Sequence, residues 1–334
     1  MIDFQTSWFS IVMGMGVFIT STYLLGVKFS IDFLITLARI LSYLNFTLFL
    51  FLISIFILKF IFFFPLIKKD FTDPIKANFY VTLGIAALSL ATNFYEVLNK
   101  QILYYPLWIF GALTVNIIVI INMMNSFLGS HIRIEHINPS WFLMSTGLLL
   151  VPGTGIGIAK LLGYGDFTIP LFDFSFGTGL LLYLALFSVW IYRFILHEPL
   201  KGDRLPLFWI NLGPIGASLT SLINYYYSTS LLKGVVSFFL ILFFGAGSWW
   251  FLISLIVTMY YIRRVNISYK TIWWSFVFPL GQFLVAAILL ENYNFYSNLE
   301  WYLIFLYAVL VSLWVTNIIM TFISLLHREK SSYL

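Results

Sequence analysis

Ten runs of about twenty apolar residues, parted by breaks too short to hold a domain, dictate most of what this chain can become. They lie near residues 6–26, 35–64, 76–96, 103–127, 139–162, 172–196, 205–227, 234–262, 271–290 and 300–325. A hydrocarbon layer about 30 Å thick takes roughly 20 helical residues to cross. Inside it every backbone N–H and C=O must find a partner within the segment, so such a run reads as a membrane helix. Only 9% of the residues are charged and 61% are hydrophobic. Soluble domains carry roughly 25% charged residues, so lipid must be the solvent for much of this surface. The breaks, such as "FPLIKKDFTDP" and "YIRRVNISYK", collect the charge and the turn residues. The expectation is an all-α integral membrane protein, residues 1–334 forming a single transmembrane channel or transporter domain in contact with membrane lipid.

The amino terminus, "MIDFQTSWFSIVMGMG", has an acid at Asp3 and no basic stretch before its apolar run. It reads as retained structure, not a cleaved leader. The chain starts at the first run and ends about nine residues after the last, so control by a phosphorylated tail is not expected. With ten spans, both termini and the loops after even-numbered spans share one side. That side holds thirteen Lys and Arg residues against five on the other. Cytoplasmic loops carry the excess of basic residues, so the expected location is the cell membrane, multi-pass, with both termini cytoplasmic. Arg39 and Lys59 fall within the second run and are expected to snorkel to an interface.

The odd-numbered runs repeat. Phe9 is followed five positions later by Gly14, Phe79 by Gly84, Phe142 by Gly147, Phe208 by Gly213 and Trp274 by Pro279. The aromatics stand 70, 63, 66 and 66 residues apart, about the length of one helical hairpin. A fixed period of this kind indicates one supersecondary unit used repeatedly. Five hairpins can close into a pseudo-fivefold ring, with kinked odd-numbered helices around a central pore and bulky even-numbered helices as an outer wall. Gly14, Gly84, Gly147, Gly213, Pro214 and Pro279 are then the expected kinks, because helix breaks at membrane depth persist where they face protein or a water-filled path.

Near the repeat the polar residues of the odd runs are small and uncharged. Ser145, Thr146, Asn211 and Gln282 are candidates for a polar lining. No acid or base falls near the middle of an odd run, which argues against a proton pump running on intramembrane carboxylates. Broken helices would expose backbone N–H donors and favour anions weakly, which suits conduction. Glu96 and Glu291, at the non-cytoplasmic ends of the third and ninth runs, are candidates for a vestibule rim.

Other chemistry has little to stand on. There is no cysteine, so disulfides, thiolate nucleophiles and sulfur-ligated metals are excluded. His131, His136, His197 and His327 are too scattered to suggest a metal or haem site, and no cofactor is expected. "GTGIGIAK" lacks the Lys-Ser/Thr ending of a phosphate loop, and Gly153 and Gly157 read better as a close helix contact. No nucleophile stands with a base and no carboxylates are paired, so no catalytic residue and no enzyme is expected. The net charge of +5 is spread through short loops and does not suggest nucleic acid.

Four segments in order, "SWFSIVMGMG", "PSWFLMSTGLLLVPGTG", "LFWINLGPIGA" and "WWSFVFPLGQFLVA", resemble the tellurite-resistance/dicarboxylate transporter family over essentially the whole chain. That family includes slow-type anion channels and malate and sulfite permeases. The resemblance implies ten helices in five hairpins, usually assembled as a homotrimer with one pore per subunit. It also implies a pore gate at Phe278, with Gly14 leaving room for the ring. The expected function is an anion channel passing small inorganic or organic anions. The alternative is a carrier or exporter for C4-dicarboxylates such as malate, for sulfite or for tellurite-related anions. "MGTG", frequent in the malate and sulfite branch, reads Met13-Gly14-Met15-Gly16 here, which weakens that branch.

Overall fold

The computed structural model describes residues 4–129, 133–162, 170–197, 202–228, 233–262, 264 and 269–331. Among them stand ten helices long and apolar enough to cross a membrane. These are α1 (Thr6–Lys28), α2 (Asp32–Phe62), α3 (Lys76–Val97), α4 (Gln101–Leu128), α5 (Pro139–Leu161), α6 (Pro170–Leu196), α7 (Pro206–Tyr226), α8 (Lys233–Ile262), α9 (Thr271–Asn292) and α10 (Glu300–Leu326). The fold is all-α, and each helix starts within three residues of the run read from the sequence.

Burial divides the ten into two sets. The apolar windows of α1, α3, α5, α7 and α9 are 83% to 100% buried, those of the even-numbered helices only 22% to 39%. Side-chain size explains the division. The even helices turn large apolar groups outward, for instance Phe51, Ile57 and Ile61 on α2, where lipid tails solvate them as well as protein would. The odd helices carry the glycines, serines and threonines that let backbones approach. Each odd helix packs on the even helix that follows it. The odd helices also touch one another in the order α1, α3, α5, α7, α9, and α9 returns to α1.

The repeating aromatics hold the hairpins together. Phe9 packs edge-on against Phe49 and Phe56 of α2, and Phe142 against Tyr183 and Trp190 of α6. Phe208 stacks on Trp250 of α8, and the indole of Trp274 donates to Thr321 of α10 at 3.2 Å.

The glycines of the repeat do not interrupt their helices. The α-helical parts of the odd spans are Phe9–Lys28, Val81–Thr92, Phe142–Gly153, Leu212–Ser228 and Val277–Asn292. Gly14, Gly84 and Gly147 lie inside unbroken helix, and each is a close contact with a neighbour. A Cβ on Gly14 would stand 2.8 Å from the Trp274 ring, and one on Gly84 2.9 Å from the Gly111 carbonyl of α4. One on Gly147 would stand 2.8 Å from Val81. The irregular backbone lies earlier, in short entry turns such as Thr6–Trp8, Pro139–Trp141 and Thr271–Ser275. Pro214 and Pro279 are each the third residue of their α-helix, where the missing N–H has no intrahelical acceptor to lose.

Lys59 also departs from expectation, whereas Arg39 is exposed. Lys59 is 4% exposed and does not snorkel. Its ammonium donates to the Phe4 carbonyl at 2.9 Å and to the Asp70 carboxylate at 3.3 Å. The chain turns at Phe63, and the short helix Phe64–Asp70 carries that carboxylate back over the end of α2. Asp70 also accepts from the Tyr80 hydroxyl at 3.0 Å and faces Lys76 at 3.6 Å.

Candidate functional site: a vestibule among the buried helices

A cavity of about 290 Å³ opens among the C-terminal halves of all five buried helices. Its lining recurs at helical spacing: Gly16, Thr20 and Leu24 on α1; Gln282, Val285 and Leu289 on α9, with Tyr293 just past its end. Steps of three and four residues keep one helix face toward the space. Besides Glu96 and Lys160, the polar side chains here are hydroxyls and amides. The Gln282 amide donates to the Thr220 hydroxyl at 3.3 Å, and the Asn93 amide donates to the Gly16 carbonyl and the Thr20 hydroxyl, both at 2.9 Å.

Two irregular segments shape the mouth. The end of α3 is a π turn, Asn93–Val97, a device that often marks functional positions in helices. In α5 the helix stops at Gly153 and resumes over Ile156–Leu161. This break frees N–H donors at the restart, where the Ile158 N–H donates to the Tyr104 hydroxyl at 3.3 Å, and carbonyls at the stop. Side chains cap them: the Asn224 amide donates to Pro152 and Gly153 at 3.0 and 3.1 Å, and the Tyr104 hydroxyl donates to Thr154 at 2.9 Å.

One turn below Gln282 on the same face of α9 is Phe278, 1% exposed. Its ring edge lies 3.8 Å from where a Gly213 Cβ would be, and Thr146 Oγ1 lies 3.1 Å from the same point. Thr146 is itself one turn below the cavity-lining Leu150. Phe278, Gly213 and Thr146 thus form one closed layer beneath the cavity. The atoms nearest a Gly14 Cβ belong to Trp274 and Val277.

The sequence candidates therefore separate. Gln282 lines the cavity, and Thr146 and Gly213 flank Phe278. Ser145 donates to its own helix at the Phe142 carbonyl, and Asn211 lies beside Tyr183 of the outer helix α6. Neither lines this cavity. Glu96 lines it, whereas Glu291 pairs with Lys28 at 3.3 Å. Thr20, Thr92, Asn224 and Lys160 also line it without having been singled out. Three- and four-residue spacing of hydroxyl and amide groups in the C-terminal halves of the odd runs was the signal that could have found the first three. Among the described residues no three of His, Asp and Glu stand together as a metal site. His131 lies outside the described residues.

Ten helices able to cross a membrane, five of them buried around a largely uncharged cavity, define a multi-pass membrane protein. The chain belongs to the voltage-dependent anion channel family, whose model matches residues 3–322. It is similar to two uncharacterized transporters of Methanocaldococcus jannaschii, MJ0762 and MJ0576, each 32% identical over 323 residues. The matches cover 96% of this chain and 94% and 92% of those proteins. Its class is accordingly anion channel or anion transporter.

Proposed function

We propose that the protein is a passive anion channel whose path runs along the common axis of α1, α3, α5, α7 and α9 and is closed at Phe278. The observation that carries this reading is the position of Phe278: one turn beneath the cavity floor, on the cavity-facing side of α9, against Gly213 and Thr146. The cyclic contacts of the five buried helices support a pseudo-fivefold pore domain spanning the chain. The lining, mostly uncharged apart from Glu96 and Lys160, supports weak, permissive anion binding, which conduction requires. The excess of Lys and Arg beside the termini supports a cytoplasmic placement of both. Assembly as a homotrimer rests on family resemblance.

Replacing Phe278 with Ala removes the plug. In planar bilayers the Phe278→Ala protein should carry anion current roughly tenfold or more above wild type, as expected when an apolar constriction is widened and wets. No increase would remove Phe278 from the gate. A cavity closed at one end also suits a carrier for malate, sulfite or tellurite-related anions. Counterflow in proteoliposomes separates the two, because uptake stimulated by substrate on the far side belongs to a carrier.

A further inference from the structure

Two acid–base couples stand at the cavity end of the buried helices, and they differ. Lys28 of α1 and Glu291 of α9 are in contact at 3.3 Å and cancel each other. Lys160 of α5 and Glu96 of α3 both line the cavity, yet they do not form an ion pair. The Lys160 ammonium instead donates to the Tyr95 hydroxyl at 3.2 Å and lies 5.8 Å from the centre of that ring. Among the described residues no carboxylate is within ion-pair distance of it.

Glu96 is carried on irregular backbone, and Lys160 on the short helix that follows an irregular stretch. Glu96 belongs to the π turn, which Asn93 anchors to α1 through the Gly16 carbonyl and the Thr20 hydroxyl. Lys160 belongs to the segment that restarts after the break in α5. Tyr104 fixes that restart, donating to the Thr154 carbonyl and accepting from the Ile158 N–H at 3.3 Å. The break thus delivers one cation to the mouth, and the π turn delivers one anion.

We propose that Lys160 and Glu96 are the specificity-determining residues of the vestibule, setting its preference between anions and cations by the difference of two unpaired charges. Lys160 draws anions toward the path and Glu96 opposes it. The closed Lys28–Glu291 pair contributes little, because a passing ion meets both signs at nearly the same distance. This assignment concerns entry into the anion path proposed above and rests on that reading for its role in transport.

The absence of native cysteine makes the local potential measurable without any current. Val285 lines the cavity, so Val285→Cys supplies a single thiol there. Its reaction rates with an anionic and a cationic methanethiosulfonate of similar size give a rate ratio that reports the field. At low ionic strength Lys160→Gln should lower the anionic-to-cationic ratio roughly 3- to 10-fold and Glu96→Gln should raise it by a similar factor, since the two reagents respond to a nearby charge with opposite sign. Lys160→Arg should keep the wild-type ratio. The shifts should shrink at about 1 M salt, where the Debye length falls to roughly 3 Å. A ratio that stays within about 1.5-fold of wild type in both variants would overturn the proposal. So would a shift that salt does not weaken, or a thiol that neither reagent reaches. Because no conduction is needed, a Phe278→Ala protein without anion current would sink the channel reading and leave this result standing.

Discussion

The two halves of the buried helices use the same five backbones for opposite ends. The N-terminal halves are dry. Phe9, Phe142, Phe208 and Trp274 are all 3% exposed or less and bind four of the five inner helices to their outer partners. Phe278 and Thr146 are packed there, 1% and 0% exposed. The C-terminal halves enclose about 290 Å³ behind Thr20, Thr92, Asn224 and Gln282. Irregular backbone occurs at both ends of the buried helices, in short entry turns such as Thr271–Ser275 ahead of the Phe278 layer and, at the mouth, in the π turn of α3 and the break of α5.

Several substitutions would break or sharpen that contrast. The largest effect on flux is expected from Phe278→Ala, because it removes the filling of the dry layer itself. The largest effect on stability is expected at Lys59. Asp70→Asn leaves that buried ammonium without its carboxylate, and removing one partner of a buried pair costs about 3–5 kcal/mol. Thermal unfolding in detergent should show a large drop in midpoint, and Lys59→Met in the same background should recover part of it. Gly14→Ala comes next. Its Cβ would meet the Trp274 ring at 2.8 Å, and overpacking of this kind costs about 1–3 kcal/mol. Leu289→Ala should cost least, about 1 kcal/mol or below. Core Leu→Ala changes reach 2–5 kcal/mol through the cavity they leave, whereas Leu289 already borders open space. If Leu289→Ala proved as damaging as Gly14→Ala, the wet and dry halves would not differ in packing.

Much of the fold was readable from the sequence because lipid imposes a strong pattern: the apolar run length located all ten helices, and bulk against small residues separated outer from inner. The site was readable only in part. Gly14, Gly84 and Gly147 were read as kinks, but glycine serves a helix break and a close contact equally well. Only the neighbours Trp274, Gly111 and Val81 decide between them. Asn211 was read as lining because it is polar and sits on an inner span. The entry turn Gly202–Asn211 just before the α-helix leaves its facing unreadable by simple periodicity. Lys59 looked like a snorkelling residue because its partner Asp70 lies beyond a turn that the run length does not announce. Lys160 was not singled out, since nothing local reveals that the break after Gly153 turns it over a cavity.

The division between a closed layer at Phe278 and a wet space above it can be read directly by thiol accessibility, again because the chain has no cysteine. Thr146→Cys places a thiol in the closed layer and Val285→Cys places one in the cavity. The expected result is rapid modification at position 285 by a small water-soluble reagent, with position 146 inert while Phe278 is present and reactive once Phe278→Ala is added. A thiol at position 146 that reacts as fast as one at 285 in the presence of Phe278, or that stays inert after the ring is removed, would contradict the account.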